Sequence, residues 1–276
     1  MKTIRLPDGI TVPALGQGTW MMAEDRRVRS EEIAALREGI DLGLTLIDTA
    51  EMYADGESEQ LVGEAIQGKR DQVFLVSKAY PQNASHDRLP RACEASLERL
   101  GTDRLDLYLL HWRGNVPLGE TVEAMERLVD AGKILRWGVS NLDAEDMEDL
   151  VASGGNACAT DQILYNLTRR GPEHDLLPWL AEHAIPTMAY SPVEQGRLVG
   201  HAGLCSLADE LGATPAQLAL AWLLARDNVI AIPKAGRIAH VRDNRAAADL
   251  TLDGSVLDRL DKLFPRPKGR VPLEML

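Results

Sequence analysis

Residues 73–78 read Val-Phe-Leu-Val-Ser-Lys, an apolar run of strand length that stops on a charged residue. Two similar runs occur nearby: Thr-Leu-Ile at 45–47 precedes Asp48, and Leu-Tyr-Leu-Leu at 107–110 precedes His111. Such runs are typical of strands buried on both faces of a parallel sheet. A charge at the end of a buried strand is costly without a partner. Because parallel α/β enzymes place their chemistry at the carboxyl edge of the sheet, we expect Asp48, Lys78 and His111 to meet there.

Outward from these runs, strand and helix patterns alternate eight times along the chain. The pattern predicts helices that begin at Ser30 and Ser58, a helix over 121–131, and a helix from the Thr214-Pro215 pair to Arg226. The last seven strands each finish on a polar residue, as expected of an active-site rim: Asp48, Lys78, His111, Asn141, Gln162, Ser191 and Lys234. We therefore predict an α/β fold of the (β/α)8 TIM-barrel class, a single domain over 1–276. An N-terminal β-hairpin around Asp8-Gly9 and an extra C-terminal helix over 255–263 complete it.

Bulk composition agrees with this class. The chain has 276 residues, close to the roughly 250 of a typical (β/α)8 barrel. Its formal charge of -12 argues against nucleic acid or an anionic membrane as the main partner, and it has no long apolar stretch. The three cysteines are far apart, which favours reduced thiols and a cytoplasmic protein. No metal site is expected, because His111 is the only histidine at a strand end and metal-dependent hydrolysis needs clustered ligands.

Tyr53 lies five residues after Asp48, in the loop that follows the second barrel strand. A tyrosine with a pKa near 10 is a poor acid at neutral pH. A neighbouring ammonium favours the phenolate, so we expect Lys78 to lower the pKa of Tyr53, with Asp48 holding Lys78. His111 can point a ring N–H at a substrate oxygen. This set suits carbonyl reduction, in which a hydride reaches carbon and a proton reaches oxygen.

At these residues the chain resembles the aldo-keto reductase superfamily. The similar segments are DTAEMYADGESE (48–59), VFLVSKAYP (73–81), LDLYLLHW (105–112), WGVSN (137–141), MAYSP (188–192) and IPKAGRIAHVRDN (232–244). Further segments are most similar to bacterial members of the methylglyoxal reductase type. The resemblance implies that Tyr53 is the general acid, assisted by Asp48, Lys78 and His111. It implies NADPH as cofactor, with NADH possible, held by Gly18, Thr19, Trp20, Ser140, Asn141, Gln162, Tyr190, Ser191, Pro192, Lys234, Arg237, His240, Asp243 and Asn244.

Two positions depart from the family pattern at the phosphate-binding end. Ala235 stands where a serine or threonine is usual, and His240 where an arginine is usual. Lys234 and Arg237 precede or open a helix, where an anion also meets free backbone N–H groups. We expect NADPH to bind more tightly than NADH, with Arg237 compensating for the departures.

We expect a small, electrophilic carbonyl substrate in a pocket walled by Trp20, Met52, Tyr80 and Trp112. The loops that could deepen this pocket are short, since about nine residues follow His111 before the predicted helix and 12 follow Phe264. Broad specificity for methylglyoxal-like and aromatic aldehydes follows. A monomer or weak homo-oligomer is expected. The alternative is a nucleotide-binding regulatory or sensor subunit with vestigial activity, which loss of the acid or a large exposed apolar patch would favour.

Overall fold

The computed structural model describes residues 1–276, with ten β-strands and ten α-helices. The strands are β1 Thr3–Arg5, β2 Thr11–Pro13, β3 Gln17–Gly18, β4 Leu46–Asp48, β5 Phe74–Ala79, β6 Leu107–Leu110, β7 Trp137–Ser140, β8 Asp161–Leu164, β9 Thr187–Tyr190 and β10 Val229–Ala231. The helices are α1 Arg29–Asp41, α2 Glu57–Ile66, α3 Arg88–Leu100, α4 Leu118–Asp130, α5 Ala144–Ala152, α6 Leu176–Glu182, α7 Ala202–Glu210, α8 Pro215–Leu224, α9 Ile238–Ala246 and α10 Gly254–Leu263.

Strands β3 to β10 form one parallel sheet in which each strand pairs with the next along the chain. The chain around β3 also pairs with that around β10, through Leu15 with Ala231 and Gly18 with Lys234. Backbone N–H groups of Gly16 and Gly18 donate to the carbonyls of Ala231 and Pro233 across this seam, at 2.8 and 3.0 Å. First and last strands are therefore joined, and the predicted (β/α)8 barrel is confirmed.

The barrel interior is apolar at one end and polar at the other. Because side chains alternate along a strand, Val76 and Lys78 point to the same side of β5. Val76 packs in an inner cluster of 12 buried residues that includes Leu46 of β4 and Leu109 of β6. Lys78, two residues further on, reaches the polar end. The polar strand-end residues therefore lie at the carboxyl end of the barrel, as the sequence predicts.

Strands β1 and β2 form an antiparallel hairpin under the apolar end of the barrel. Their register pairs Ile4 with Val12, and Gly9 takes a φ of +93° at the turn. Ile4 and Val12 are buried in the same inner cluster as the barrel strands. The predicted N-terminal hairpin is confirmed, and it closes the barrel at the end opposite the polar residues.

The helices lie outside the sheet and bury a second cluster of 59 residues, which runs from Leu15 to Phe264. Thr214 caps α8 with a capping box and Pro215 at its first position, as predicted. The extra helix is present as α10, with Asp253 as its N-cap. No helix is long and apolar enough to cross a membrane.

Several helix bounds differ from those predicted. Ser30 and Ser58 lie inside α1 and α2 and cap neither helix. Helix α4 begins at Leu118, three residues before Thr121. Helix α7 was not predicted at all, since its sequence begins Ala-Gly and its N-cap is His201, whose ring Nδ1 accepts from the Leu204 N–H at 3.2 Å. Histidine is not among the residues that usually mark a helix start.

Candidate active site

A cavity of about 590 Å³ opens at the carboxyl ends of the barrel strands. Six of the seven polar strand-end residues line it, and the seventh, Lys78, lies fully buried beneath it. Of the residues predicted for the site, the following line the cavity: Gly18, Trp20, Asp48, Met52, Tyr53, His111, Trp112, Ser140, Asn141, Gln162, Tyr190, Ser191, Pro192 and Lys234. The structure therefore brings most of the predicted site together.

Lys78 is the centre of the polar network. Its Nζ donates to Asp48 Oδ2 at 2.8 Å, to the Thr49 carbonyl at 2.8 Å and to Tyr53 Oη at 3.0 Å. An ammonium has three hydrogens, so these three bonds use all of them. The Tyr53 oxygen therefore accepts from Lys78 and keeps its own proton for a group in the cavity.

The loop that carries Tyr53 is held in an uncommon backbone conformation. Ala54 and Asp55, directly after Tyr53, have φ values of +49° and +52°, which non-glycine residues seldom adopt. Glu51 anchors the loop from the other side, since its Oε1 accepts from the Tyr80 N–H at 2.7 Å. Tyr53 is consequently buried with its ring beside Lys78, whose Nζ lies 4.7 Å from the ring centre.

Burial decides the ionisation of Tyr53. Burial raises the pKa of Tyr53 above its ordinary value, although the Lys78 ammonium opposes the shift. Lys78 therefore lowers this pKa as expected, but burial outweighs its effect and the net pKa lies above the ordinary value. Burial by itself would lower the pKa of Lys78, but attraction to Asp48 and Tyr53 outweighs burial and the net pKa is raised. At neutral pH the pair is thus a phenol next to an ammonium.

His111 is neutral across the physiological range, because burial and then the Lys78 charge lower its pKa to about 2. Its Nδ1 is buried and has no hydrogen-bond partner. An unpaired buried N–H donor is costly, so the favoured tautomer has its proton on Nε2. The ring lies 5.8 Å from the Tyr53 ring, centre to centre. It can therefore supply a second, uncharged donor beside the phenol.

An amide-rich wall lies across the cavity from Tyr53. Gln162 Nε2 donates to Asp48 Oδ1 at 2.7 Å and to Met188 Sδ at 2.9 Å, so both amide hydrogens are used and its carbonyl oxygen has no protein partner. Asn141, at a φ of +61°, accepts from Tyr190 Oη at 2.9 Å. Ser140 Oγ donates to the backbone carbonyl of Gln162 at 2.7 Å. These bonds fix the wall and leave an amide acceptor facing the cavity.

The basic residues near β10 are paired with glutamates of α1. Lys234 Nζ lies 4.0 Å from Glu32 Oε1, and Arg237 Nε lies 3.7 Å from Glu31 Oε1. Lys234 lines the cavity, but Arg237 and His240 do not. The positive charge that the sequence suggested at this end is therefore largely balanced.

Three other predicted cofactor residues lie outside the cavity lining. Asp243 accepts from Gln217 Nε2 at 2.7 Å and from Thr214 Oγ1 at 3.1 Å, at the start of α8. Asn244 is buried on α9. Thr19 is buried and donates to the Asp48 carbonyl at 3.0 Å, which fixes the end of β4.

Aromatic and sulfur-containing side chains form the apolar wall. Trp20, Met52 and Trp112 line the cavity, and the Trp112 ring lies 5.0 Å from the His111 ring. Tyr80, predicted for the pocket, does not line it. Its ring packs edge-on against Trp112 at 6.0 Å and so supports the wall from behind.

Met21 also lines the cavity. Sequence reasoning missed the rest of the lining: Val193, Gln195, Gly196, Ile232, Met275 and Leu276. The last two belong to the 12 residues after Phe264, a segment that we expected to be too short to deepen the pocket. An extended segment of 12 residues spans up to about 40 Å, and residues 265–276, here called the tail segment, cross to the cavity mouth. The only feature of the sequence that could have indicated this contact is the apolar pair Met275-Leu276, which follows a charged stretch. No group of three or more potential metal ligands occurs in the structure.

Comparison with known proteins agrees with this geometry. The sequence model of the Aldo/keto reductase family matches residues 14–264. The chain therefore belongs to the aldo/keto reductase family, a class of oxidoreductases, and the predicted resemblance is confirmed.

Individual relatives are similar over the whole chain. Methylglyoxal reductase YeaE of Escherichia coli is 53% identical over 281 residues, which cover 100% of this chain and 99% of the relative. A crystal structure of an aldo/keto reductase from Klebsiella pneumoniae with NADP and acetate has a TM-score of 0.97 and 55% identity, covering 100% and 99% of the two chains. A thermostable aldo-keto reductase, Tm1743, with the inhibitor epalrestat has a TM-score of 0.90 and 40% identity, covering 95% and 100%.

Proposed function

We propose that this protein reduces small aldehydes and ketones to alcohols with NADPH, and that Tyr53 is the general acid. The observation that carries the proposal is the bonding of Lys78. All three ammonium hydrogens are used, one of them on Tyr53 Oη at 3.0 Å, so the phenolic proton is free to be donated into the cavity. The Klebsiella relative binds NADP, which supports the same cofactor here.

Each polar residue has a separate task in this reaction. Tyr53 donates a hydrogen bond to the carbonyl oxygen and then its proton as charge develops there. The Lys78 ammonium stabilises the phenolate that remains, and Asp48 holds Lys78 in place. His111 donates its Nε2–H to the same oxygen without adding charge. When bound, the nicotinamide supplies the hydride that adds to the carbonyl carbon.

The amide wall fits a nicotinamide carboxamide. The free carbonyl oxygen of Gln162 can accept from the carboxamide N–H₂, while Ser140 and Asn141 lie beside it. The Tyr190 ring provides a flat, partly buried face for stacking, and its hydroxyl is held by Asn141 at 2.9 Å. Gly18, Trp20, Ser191 and Pro192 would line the remainder of the cofactor path.

The preference for NADPH should be moderate. Lys234 and Arg237 would attract the 2′-phosphate, with Asp243 and Asn244 near the adenine. The glutamates paired with both cations reduce that attraction. The buried Ala235 offers no hydroxyl, and His240 does not line the cavity. We therefore include NADH as a weaker cofactor.

The substrate class follows from the cavity walls. Trp20, Met52 and Trp112 favour an apolar or aromatic group next to the carbonyl, and Met275 and Leu276 limit its length. Methylglyoxal is the named substrate of the Escherichia coli relative and is small enough for this cavity. Short and aromatic aldehydes are proposed alongside it.

Steady-state assays with NADPH and NADH over methylglyoxal and a panel of aldehydes test this function. Tyr53→Phe should lower turnover about 10²–10⁴-fold while the Kd for NADPH stays near that of the parent. Tyr80→Phe is the matched control, because Tyr80 lies outside the cavity lining, and it should keep near-parent activity. Parent-like reduction by Tyr53→Phe would show that Tyr53 is not the acid.

A further inference from the structure

The loop after β9 carries unusual backbone strain beside the cavity. Ser191, Glu194 and Gln195 have φ values of +48°, +50° and +54°, within five residues of one another. Such conformations cost of order 1–3 kcal/mol each and persist only where surrounding contacts impose them. Five residues of this stretch, 191–193 and 195–196, line the cavity. We call residues 191–196 the strained loop.

A buried carboxylate provides the contacts that impose this conformation. Glu194 is only 4% exposed, and its Oε1 accepts from Arg169 Nη2 at 2.7 Å and Nε at 3.1 Å. Asn166 Nδ2 donates to Glu194 Oε2 at 2.7 Å and to the Ser191 carbonyl at 2.9 Å. Burial alone would raise the pKa of Glu194, but hydrogen bonds from Arg169, Asn166 and Arg197 hold it below its ordinary value. Glu194 is therefore a charged anchor for the strained loop.

Arg169 also contacts the tail segment. Its remaining nitrogen, Nη1, donates to Glu274 in the tail segment. The next two residues, Met275 and Leu276, line the cavity. One guanidinium thus bonds to the loop along the proposed cofactor path and to the segment that limits substrate length.

We propose that Arg169 is a positioning residue that couples the strained loop to the tail segment, so that cofactor binding also sets the wall of the substrate pocket. The inference rests on the proposed function, since it takes residues 191–196 to contact the cofactor. A cofactor that fixes the strained loop fixes Glu194, and through Arg169 it holds Glu274 and the end of the tail segment.

The matched pair of variants is Arg169→Met and Arg197→Met. Arg197 also donates to Glu194 Oε1, at 3.0 Å, but it makes no bond to the tail segment. Three quantities would be measured for each protein: the Kd for NADPH by fluorescence titration, KM and kcat for methylglyoxal, and the rate of tryptic cleavage at the Arg270–Val271 bond with and without NADPH. The cleavage rate reports release of the tail segment and does not depend on turnover.

In the parent, saturating NADPH should slow cleavage at Arg270–Val271 about fivefold, the scale of one partly exposed ion pair. Arg169→Met should abolish this protection and raise the Kd for NADPH about tenfold, as expected for loss of charge-assisted hydrogen bonds. For Arg169→Met, the KM for methylglyoxal should rise by a larger factor than kcat falls. Arg197→Met should keep the protection. Protection that survives in Arg169→Met overturns the coupling.

Glu274→Gln provides a second test that leaves the buried contacts intact. It should remove the NADPH-dependent protection and raise the Kd for NADPH by at most about fivefold, because the coupling between the cofactor and the tail segment acts equally in both directions. Parent-like protection in Glu274→Gln also contradicts the coupling. Failure of the parent itself to bind NADPH would instead contradict the proposed function.

Discussion

Replacing Lys78 with methionine separates the structural and chemical roles of the buried pair. Lys78→Met removes the ammonium but leaves Asp48 buried, with only the Gln162 amide donating to it. Breaking a buried ion pair from one side costs about 3–5 kcal/mol. A domain typically has about 5–15 kcal/mol of unfolding free energy, so the variant should fold but be much less stable at neutral pH.

The pH dependence of that loss identifies its cause. Burial already raises the pKa of Asp48 in the parent against the opposing effect of Lys78. Without Lys78 the Asp48 carboxyl takes up a proton on folding, because its pKa is higher in the folded than in the unfolded chain. A group of this kind contributes stability at low pH, and that stability is lost as pH rises. The linkage is about 1.4 kcal/mol per pH unit. The deficit of Lys78→Met relative to the parent should therefore shrink by up to about 4 kcal/mol between pH 8 and pH 5.

Urea denaturation followed by circular dichroism at pH 5 and pH 8 measures this deficit. The double variant Asp48→Asn, Lys78→Met is the control, because it has no buried charge. It should recover part of the stability at pH 8 while remaining inactive. A deficit for Lys78→Met that is equal at both pH values would refute the argument that an uncompensated Asp48 carboxylate destabilises the variant.

Three further outcomes follow from the site. The pKa of His111 is about 2 in the folded protein against an ordinary value of 6.5, so as pH falls the unfolded chain binds a proton that the folded protein does not. Between pH 6.5 and pH 5 the free energy of unfolding of the parent, measured by urea denaturation, should therefore fall by about 2 kcal/mol more than that of His111→Gln. Equal losses would contradict a buried neutral ring. Glu31→Gln should raise the ratio of NADPH to NADH affinity up to about fivefold, and Arg237→Ala should lower it, as measured by fluorescence titration. Glu38→Gln is the control, because Glu38 also lies on α1 but pairs with Arg242; no change in either Glu31→Gln or Arg237→Ala would exclude Arg237 from the phosphate site. Trp112→Ala should raise KM for aromatic aldehydes more than for methylglyoxal, and equal increases would remove Trp112 from the substrate wall.

The centre of the site was predictable from sequence because it depends on strand register. A residue at the end of a buried strand must face the carboxyl edge of the barrel, so Asp48, Lys78 and His111 could be brought together without coordinates. The direction of the Tyr53 pKa could not be predicted. It depends on how completely the loop buries the phenol, which sequence spacing does not determine.

The outer parts of the site depend on contacts between residues far apart in sequence. Arg169 and Glu274 are separated by 105 positions, and the tail segment has no periodic pattern that indicates where it lies. The pairing of Lys234 with Glu32 likewise joins α1 to the end of β10. Such pairs follow from the packing of the barrel and could be recognised only after the fold was known.

We propose that Tyr53 donates its proton as a neutral phenol held by Lys78. The most direct test is the pH dependence of a single turnover of methylglyoxal by the NADPH-loaded protein, followed by stopped-flow absorbance. Tyr53 must be protonated to donate, and burial raises its pKa above 10.0, so the rate should stay constant between about pH 6 and pH 9 and fall only above pH 10. A fall centred near pH 7, or a rate for Tyr53→Phe equal to that of the parent, would contradict the account.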